Sequence, residues 1–130
     1  MVFKKFTKTN QRSESRITIT SSFSFGFPTK FYNDNKIDRY KYVILFHDLE
    51  ENAVGIHFTN NEDEKHKFTI IRGNKYGGSI IATSFFKVNN INPRTYKGRY
   101  SWKKQRIPEV GELYVIKLEE KDQKRAVREL

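Results

Sequence analysis

The chain has 130 residues, room for one domain and little more. Hydrophobic residues make up 36% and aromatic residues 15%, with eleven Phe and seven Tyr, so a ring-rich core is expected and wholesale disorder is not. There is no cysteine, which excludes disulfide scaffolds, cysteine-ligated zinc modules, thiol nucleophiles and iron–sulfur sites, and the formal net charge is +10.

Strand signals dominate from the N-terminus onward. Residues 1–12 are basic with no apolar stretch behind them, so they do not read as a signal peptide. Phe3 and Phe6 can tack the start of this segment to the rest of the fold. Arg16-Ile17-Thr18-Ile19-Thr20 and Phe23-Ser24-Phe25-Gly26-Phe27 alternate apolar and polar, the pattern of half-buried strands. Pro28 opens a short, poor helix to Lys36, because proline is tolerated in a first turn while Asn and Asp favour frayed ends. Residues 40–47 are apolar on both faces from Tyr42 to Phe46, as in a strand covered on both sides. Residues 53–59 return as its hairpin partner, with Val54, Ile56 and Phe58 on one face.

After an acidic turn at residues 60–65, a strand is expected over 66–72 and a glycine-rich turn over 73–78. A short strand follows at 79–82. Residues 83–90 then read as a helix with Thr83 as N-cap, broken by Asn92-Pro93. Residues 96–106 are strand-like, 108–112 a turn, and 113–118 a strong last strand. Residues 119–130 form a charged tail, with Ala126, Val127 and Leu130 at weakly amphipathic spacing.

The order repeats. Residues 23–58 and 78–118 both give strand, short helix, Asn-rich exit, Ile, then two strands. SFGFPTKFYNDNKI stands against SIIATSFFKVNNI, with Ile37 and Ile91 ending each stretch. The expected fold is therefore mostly β (α+β): one domain over residues 1–118, made of two β-α-β-β halves (16–60 and 66–118) with two short helices.

Such a β-α-β-β unit resembles the swapped-hairpin half-barrel of AbrB- and MraZ-type transcription regulators. Phe27-Pro28 occupies the place of their Ile-Pro, Ile37 the helix exit and residues 42–58 the hairpin. Ala82-Thr83 replaces Ile-Pro in the second copy. The chain over residues 3–118, with Phe3 to Phe6 as an extra first strand, is also similar to the seven-stranded DNA-binding pseudobarrel of plant transcription factors and some restriction-enzyme recognition domains. The resemblance implies a duplex-DNA binder with two arms. One is the loop at residues 7–16. The other falls near residues 60–65, which are acidic here and depart from that pattern. Two copies in one chain imply that a monomer closes the fold, with a homodimer on DNA as the alternative.

Charge carries the functional argument. Residues 71–107 hold nine Lys/Arg and no Asp/Glu. The natural partner of such a stretch is a polyanion. Its densest part is RTYKGRYSWKKQR, residues 94–106. The candidate nucleic-acid contacts are Lys8, Arg12, Arg16, Arg72, Lys75, Arg94, Lys97, Arg99, Lys103, Lys104 and Arg106. Tyr96, Tyr100 and Trp102 are candidates for stacking on bases. Strand alternation sends Arg99, Ser101 and Lys103 one way and Tyr100 and Trp102 the other, so the two rings are expected in the core.

Other chemistry finds little footing. His47, His57 and His66 lack a converging ligand pattern, so no metal is expected. Gly-x-Ser-x-Gly is absent, and Lys75-Tyr76-Gly77-Gly78 is no phosphate-binding loop, since Gly-Lys-Ser/Thr is missing. No apolar run approaches the roughly eighteen residues of a membrane span. The sequence thus predicts a soluble intracellular, non-catalytic nucleic-acid binder without cofactor, with DNA ahead of RNA and no membrane partner. Its alternatives are a single-strand or RNA binder, a small barrel ribonuclease of the toxin kind, and a module for an acidic protein.

Overall fold

Alternating apolar residues put Ile17, Ile19, Phe25 and Phe27 on one face of a hairpin, where all four are buried. In the computed structural model, which describes residues 1–5, 14–73 and 77–120, that hairpin is β1 (Ile17–Thr20) and β2 (Ser24–Phe27). Two five-stranded antiparallel sheets contain all the described strands. The first also holds β6 (Ile71–Arg72), β7 (Gly78–Ile81) and β8 (Gly98–Tyr100), in the order β6-β7-β2-β1-β8. The second holds β3 (Tyr42–Asp48), β4 (Ala53–Thr59), β5 (Phe68–Thr69), β9 (Trp102–Ile107) and β10 (Gly111–Lys117), in the order β5-β3-β4-β10-β9.

Two segments pass between the sheets. β5 and β6 flank the buried Ile70, and β8 and β9 flank Ser101. Each segment is an edge of both sheets, but its ladder breaks at the crossing residue. The architecture is mostly β in two sheets, not a closed barrel.

Three short helices lie among the strands: α1 (Thr29–Asp34), α2 (Thr83–Val88) and α3 (Pro93–Tyr96), with a 3-10 turn at Ile37–Arg39. One apolar cluster joins both sheets and the first two helices. Phe31 of α1 sits in it edge-on to Trp102 (5.2 Å) and Tyr114 (5.0 Å). Phe86 of α2 stacks on Phe25 at 5.1 Å. Short helices have little stability of their own, so burial of these rings holds them in place.

The opening part of the two stretches, strand, short helix and Ile exit, has the same form in both, whereas the second stretch then adds α3 and divides its next strand into β8 and β9. At a constant spacing of 54 residues, Phe31 matches Phe85, Asn35 matches Asn89 and Ile37 matches Ile91. All four apolar members are buried. Lys36 and Asn90 both leave their helices in the left-handed region, with φ 54° and 55°. The shift also maps the β2–β7 ladder onto itself. Phe25 pairs with Ile80, and their equivalents Ser79 and Gly26 pair with each other. β4 and β10 also pair antiparallel, with Gly55 opposite Val115, but the 54-residue shift does not relate them.

Several expectations change. Phe3 is 87% exposed and belongs to no strand, and residue 6 lies outside the described residues. The strand expected over 66–72 is two short strands in different sheets, because its register partner changes at Ile70. Of the residues 42–46, Val43 alone is buried; Ile44 and Phe46 face the outer side and are half-covered. Thr83 is the first helical residue and gives no side-chain cap. Asn92 starts a third helix instead of only ending the second, because its side chain accepts the Arg94 N–H at 3.0 Å.

Candidate nucleic-acid interface

Strand alternation through β8 and β9 separates Tyr100 and Trp102 from Arg99 and Lys103, while Lys104 and Arg106 fall on the Trp102 side, beyond the ring. Tyr100 is 4% exposed, and its hydroxyl lies within hydrogen-bond reach of the Tyr96 and Glu119 carbonyls. Burial pushes that hydroxyl's pKa up to about 12. Trp102 is half-buried, edge-on to Phe31 and Tyr114, and its indole N–H donates to the Ser15 carbonyl at 2.7 Å. Tyr96 is half-buried, and its hydroxyl accepts from the Asn52 amide at 3.4 Å. Tyr100 therefore has no face for base stacking, and Trp102 is committed to packing. Among the described residues, Phe3 is the one exposed aromatic side chain.

The cations take the opposite fate. Lys103, Lys104, Gln105 and Arg106 are exposed in succession along β9, whose strand partner is β10 alone. Period-two alternation then splits them between two faces. Arg99 and Lys103 join Arg16 along an outer groove of about 820 Å³, floored by Gly55, Leu113 and Val115. Leu113 fits there because β4 carries glycine diagonally across from it: a Cβ on Gly55, which pairs with Val115, would stand 2.9 Å from the Leu113 Cδ1.

This groove is not a field of one sign. Glu14 binds Arg16 at 2.7 Å and approaches Arg99 at 3.7 Å, while Lys117 pairs with Glu51 at 3.0 Å. Hydrogen bonds from Arg16 hold the Glu14 carboxyl well below the usual carboxylate range, at about 2.

Lys104 and Arg106 turn to the other side. There they line a hollow of about 240 Å³ with Arg39, Tyr40, Glu112 and Tyr114. Arg39 lies over the Tyr40 ring at 5.0 Å, and Lys104 over the Tyr114 ring at 5.6 Å. Glu112 approaches Lys104 at 3.9 Å. The β4–β10 ladder ends at Ile56 opposite Tyr114. Beyond it the His57 ring fills the gap, its Nδ1 donating to the Glu112 carbonyl at 2.9 Å. Gly111, at φ 113°, starts β10 beside that ring.

The remaining candidates are dispersed. Arg72 lies over the Tyr32 ring at 5.3 Å and donates to the Tyr40 carbonyl. Arg94 and Lys97 are exposed on and just after α3. Arg94, Lys97, Lys103 and Arg106 make no ion pair among the described residues. Lys8, Arg12 and Lys75, with most of the 7–16 loop, lie outside those residues. The acidic turn is folded back on its neighbours: Glu62 accepts the Tyr42 hydroxyl at 2.6 Å, and Lys67 donates to the Glu62 and Glu64 carbonyls.

Two participants escape a sequence reading. Arg39 lies far from residues 94–106 in the chain, and only the fold brings it beside Arg106. Its adjacency to Tyr40 is a faint signal of a braced cation. Glu14, two residues before Arg16, joins it in the short ion pair.

The histidines do not converge. Ile44 is opposite His57 and Val54 opposite His47, so the two rings share no rung of their hairpin. No helix among the described residues is long and apolar enough to cross a membrane. No family model matches the chain, and neither the curated proteins nor the solved structures contain a significant match to it.

Proposed function

We propose that this protein binds nucleic acid through its phosphate backbone, duplex DNA ahead of single strands, with β9 as the contacting ridge. The observation that carries this reading is the sorting along residues 99–106. Four consecutive polar side chains, three of them cations, stand exposed on an edge strand, while the neighbouring rings are turned into the core. Cations on both faces of one strand suit a partner with phosphates on both sides, as a duplex groove presents them. A single-strand binder needs exposed rings for stacking, and the described surface offers few.

Arg99, Lys103, Lys104 and Arg106 are the central contacts in this reading, with Arg94 and Lys97 extending the row and Arg16 held in reserve by Glu14. Arg72 and Tyr96 are peripheral. The repeated β-α-β-β order and the self-matching β2–β7 ladder support the likeness to swapped-hairpin and pseudobarrel DNA binders. In that comparison, residues 68–72 and 98–107 stand for single barrel strands bent between the sheets. Catalysis has no place in the reading.

A binding panel tests it: duplex DNA, single-stranded DNA and RNA of one sequence, with product integrity checked by gel. Duplex DNA should bind tightest and every strand should remain intact. Preference for single strands would shift the reading to the alternative class, and shortened RNA would make the protein a ribonuclease.

A further inference from the structure

The hollow beside β9 differs from the ridge in shape and in charge. Arg39, Lys104 and Arg106 face it with Glu112 as the acidic member, giving a local formal charge of +2. An internal phosphodiester carries one negative charge. A terminal phosphate monoester carries about −1.5 to −2 at neutral pH and has three strong acceptor oxygens. The hollow's charge matches the second ligand.

Its cations are also braced in advance. Arg39 rests over Tyr40 and Lys104 over Tyr114, at 5.0 and 5.6 Å. Long basic side chains held against rings lose less freedom when they bind, so more of each charge-assisted contact appears as affinity. The His57 ring closes the wall where β4 and β10 part. A volume of about 240 Å³ accommodates a phosphate and the edge of its sugar, whereas a duplex would have to lie across the opening. Lys104 and Arg106 belong to both ridge and hollow, which places a strand end beside the duplex contacts.

We infer that the hollow receives the terminal phosphate of a nucleic-acid strand, so that the protein distinguishes phosphorylated ends from hydroxyl ends. This rests on the nucleic-acid reading above.

The experiment uses the full chain and one short duplex in three forms: 5′-phosphorylated, 3′-phosphorylated and hydroxyl-ended. Inorganic phosphate serves as a separate competitor. At least one phosphorylated form should bind about tenfold tighter than the hydroxyl-ended form, the size expected of one or two added charge-assisted contacts. Arg39→Gln should abolish the difference and weaken hydroxyl-ended binding less than Arg106→Gln does, because Arg39 lies off the ridge. Arg106→Gln should also abolish it and weaken both forms. A circular-dichroism melt of each variant confirms that it folds.

Equal affinity for all three duplexes, with a steep salt dependence retained, overturns the end-recognition inference and leaves backbone binding standing. No binding to any duplex overturns both. If Arg39-dependent binding of inorganic phosphate is the sole response, the ligand is a free phosphate and the assignment to a strand end fails.

Discussion

Asn35 and Asn89 make the same contact 54 residues apart: each donates its side-chain amide to the carbonyl four residues earlier, Phe31 or Phe85, at 2.9 Å. Each amide closes the end of a six-residue helix whose aromatic residues are buried. The residues that follow, Lys36 and Asn90, both turn left-handed. Asn35→Ala and Asn89→Ala should therefore each cost a comparable amount, about 0.5–1.5 kcal/mol for one partly buried hydrogen bond. Urea unfolding of the two variants measures this. Unequal losses differing by several-fold would show that the two exits are not energetic equivalents.

Trp102 separates packing from recognition. Trp102→Ala removes a ring set edge-on to Phe31 and Tyr114 and should destabilise the protein by about 3 kcal/mol or more. Trp102→Phe retains a ring but loses the bond to the Ser15 carbonyl, and should cost about 1 kcal/mol. Nucleic-acid affinity of the folded Trp102→Phe protein should equal that of the original. A large drop in single-strand affinity without loss of stability would instead identify Trp102 as a stacking residue.

Glu14 restrains two cations, and its effect depends on pH. Its carboxyl is held at about 2, below the ordinary 4.5, chiefly by the hydrogen bonds from Arg16. A depressed carboxyl pKa contributes stability above the ordinary value, and that contribution is lost as pH falls from about 4.5 through about 2. The contribution is small, because solvent screens an exposed pair. A carbon-13 titration of the Glu14 carboxyl should show its inflection near 2. An inflection near 4.5 would mean that the pair does not form in solution. Glu14→Gln should release Arg16 and Arg99 and tighten duplex binding several-fold at low salt.

Tyr100 and Tyr114 carry the corresponding alkaline prediction. Burial raises both hydroxyls from 10 to about 12. A raised pKa stabilises the fold below pH 10, and the contribution is lost as pH rises through 12. Absorbance at tyrosinate wavelengths should show Tyr100 and Tyr114 titrating late, accompanied by loss of the fold. Titration of both near pH 10 with the fold intact would contradict their burial.

Much of this was legible in sequence where a local period decides the outcome. Alternation placed Ile17, Ile19, Phe25 and Phe27 on one face, and the same rule turned Tyr100 and Trp102 inward. The repeat was visible because Phe31, Asn35 and Ile37 recur at one spacing. Long-range choices were not visible. Nothing local tells residues 68–72 to change sheets at Ile70, since alternation fixes the face of a strand and not its partner. Asn92-Pro93 reads equally as a break or as a capped start, and the Arg94 N–H decides. The cation row was legible, but its division was incomplete without Arg39, which reaches the hollow only through the packing of α1 and the turn after it.

The most direct measurement is the salt dependence of duplex affinity for the original chain and for a Lys103→Gln, Lys104→Gln, Arg106→Gln variant. These side chains are exposed, so the variant should keep its melting temperature within a few degrees. Contacts from Arg94, Lys97, Arg99, Lys103, Lys104 and Arg106 predict a log–log slope of about −5 for the original chain. The triple variant should lose about three units of that slope, together with most of its affinity at low salt. A slope near zero for the original chain, or the same slope and affinity in the variant, would contradict phosphate binding by β9.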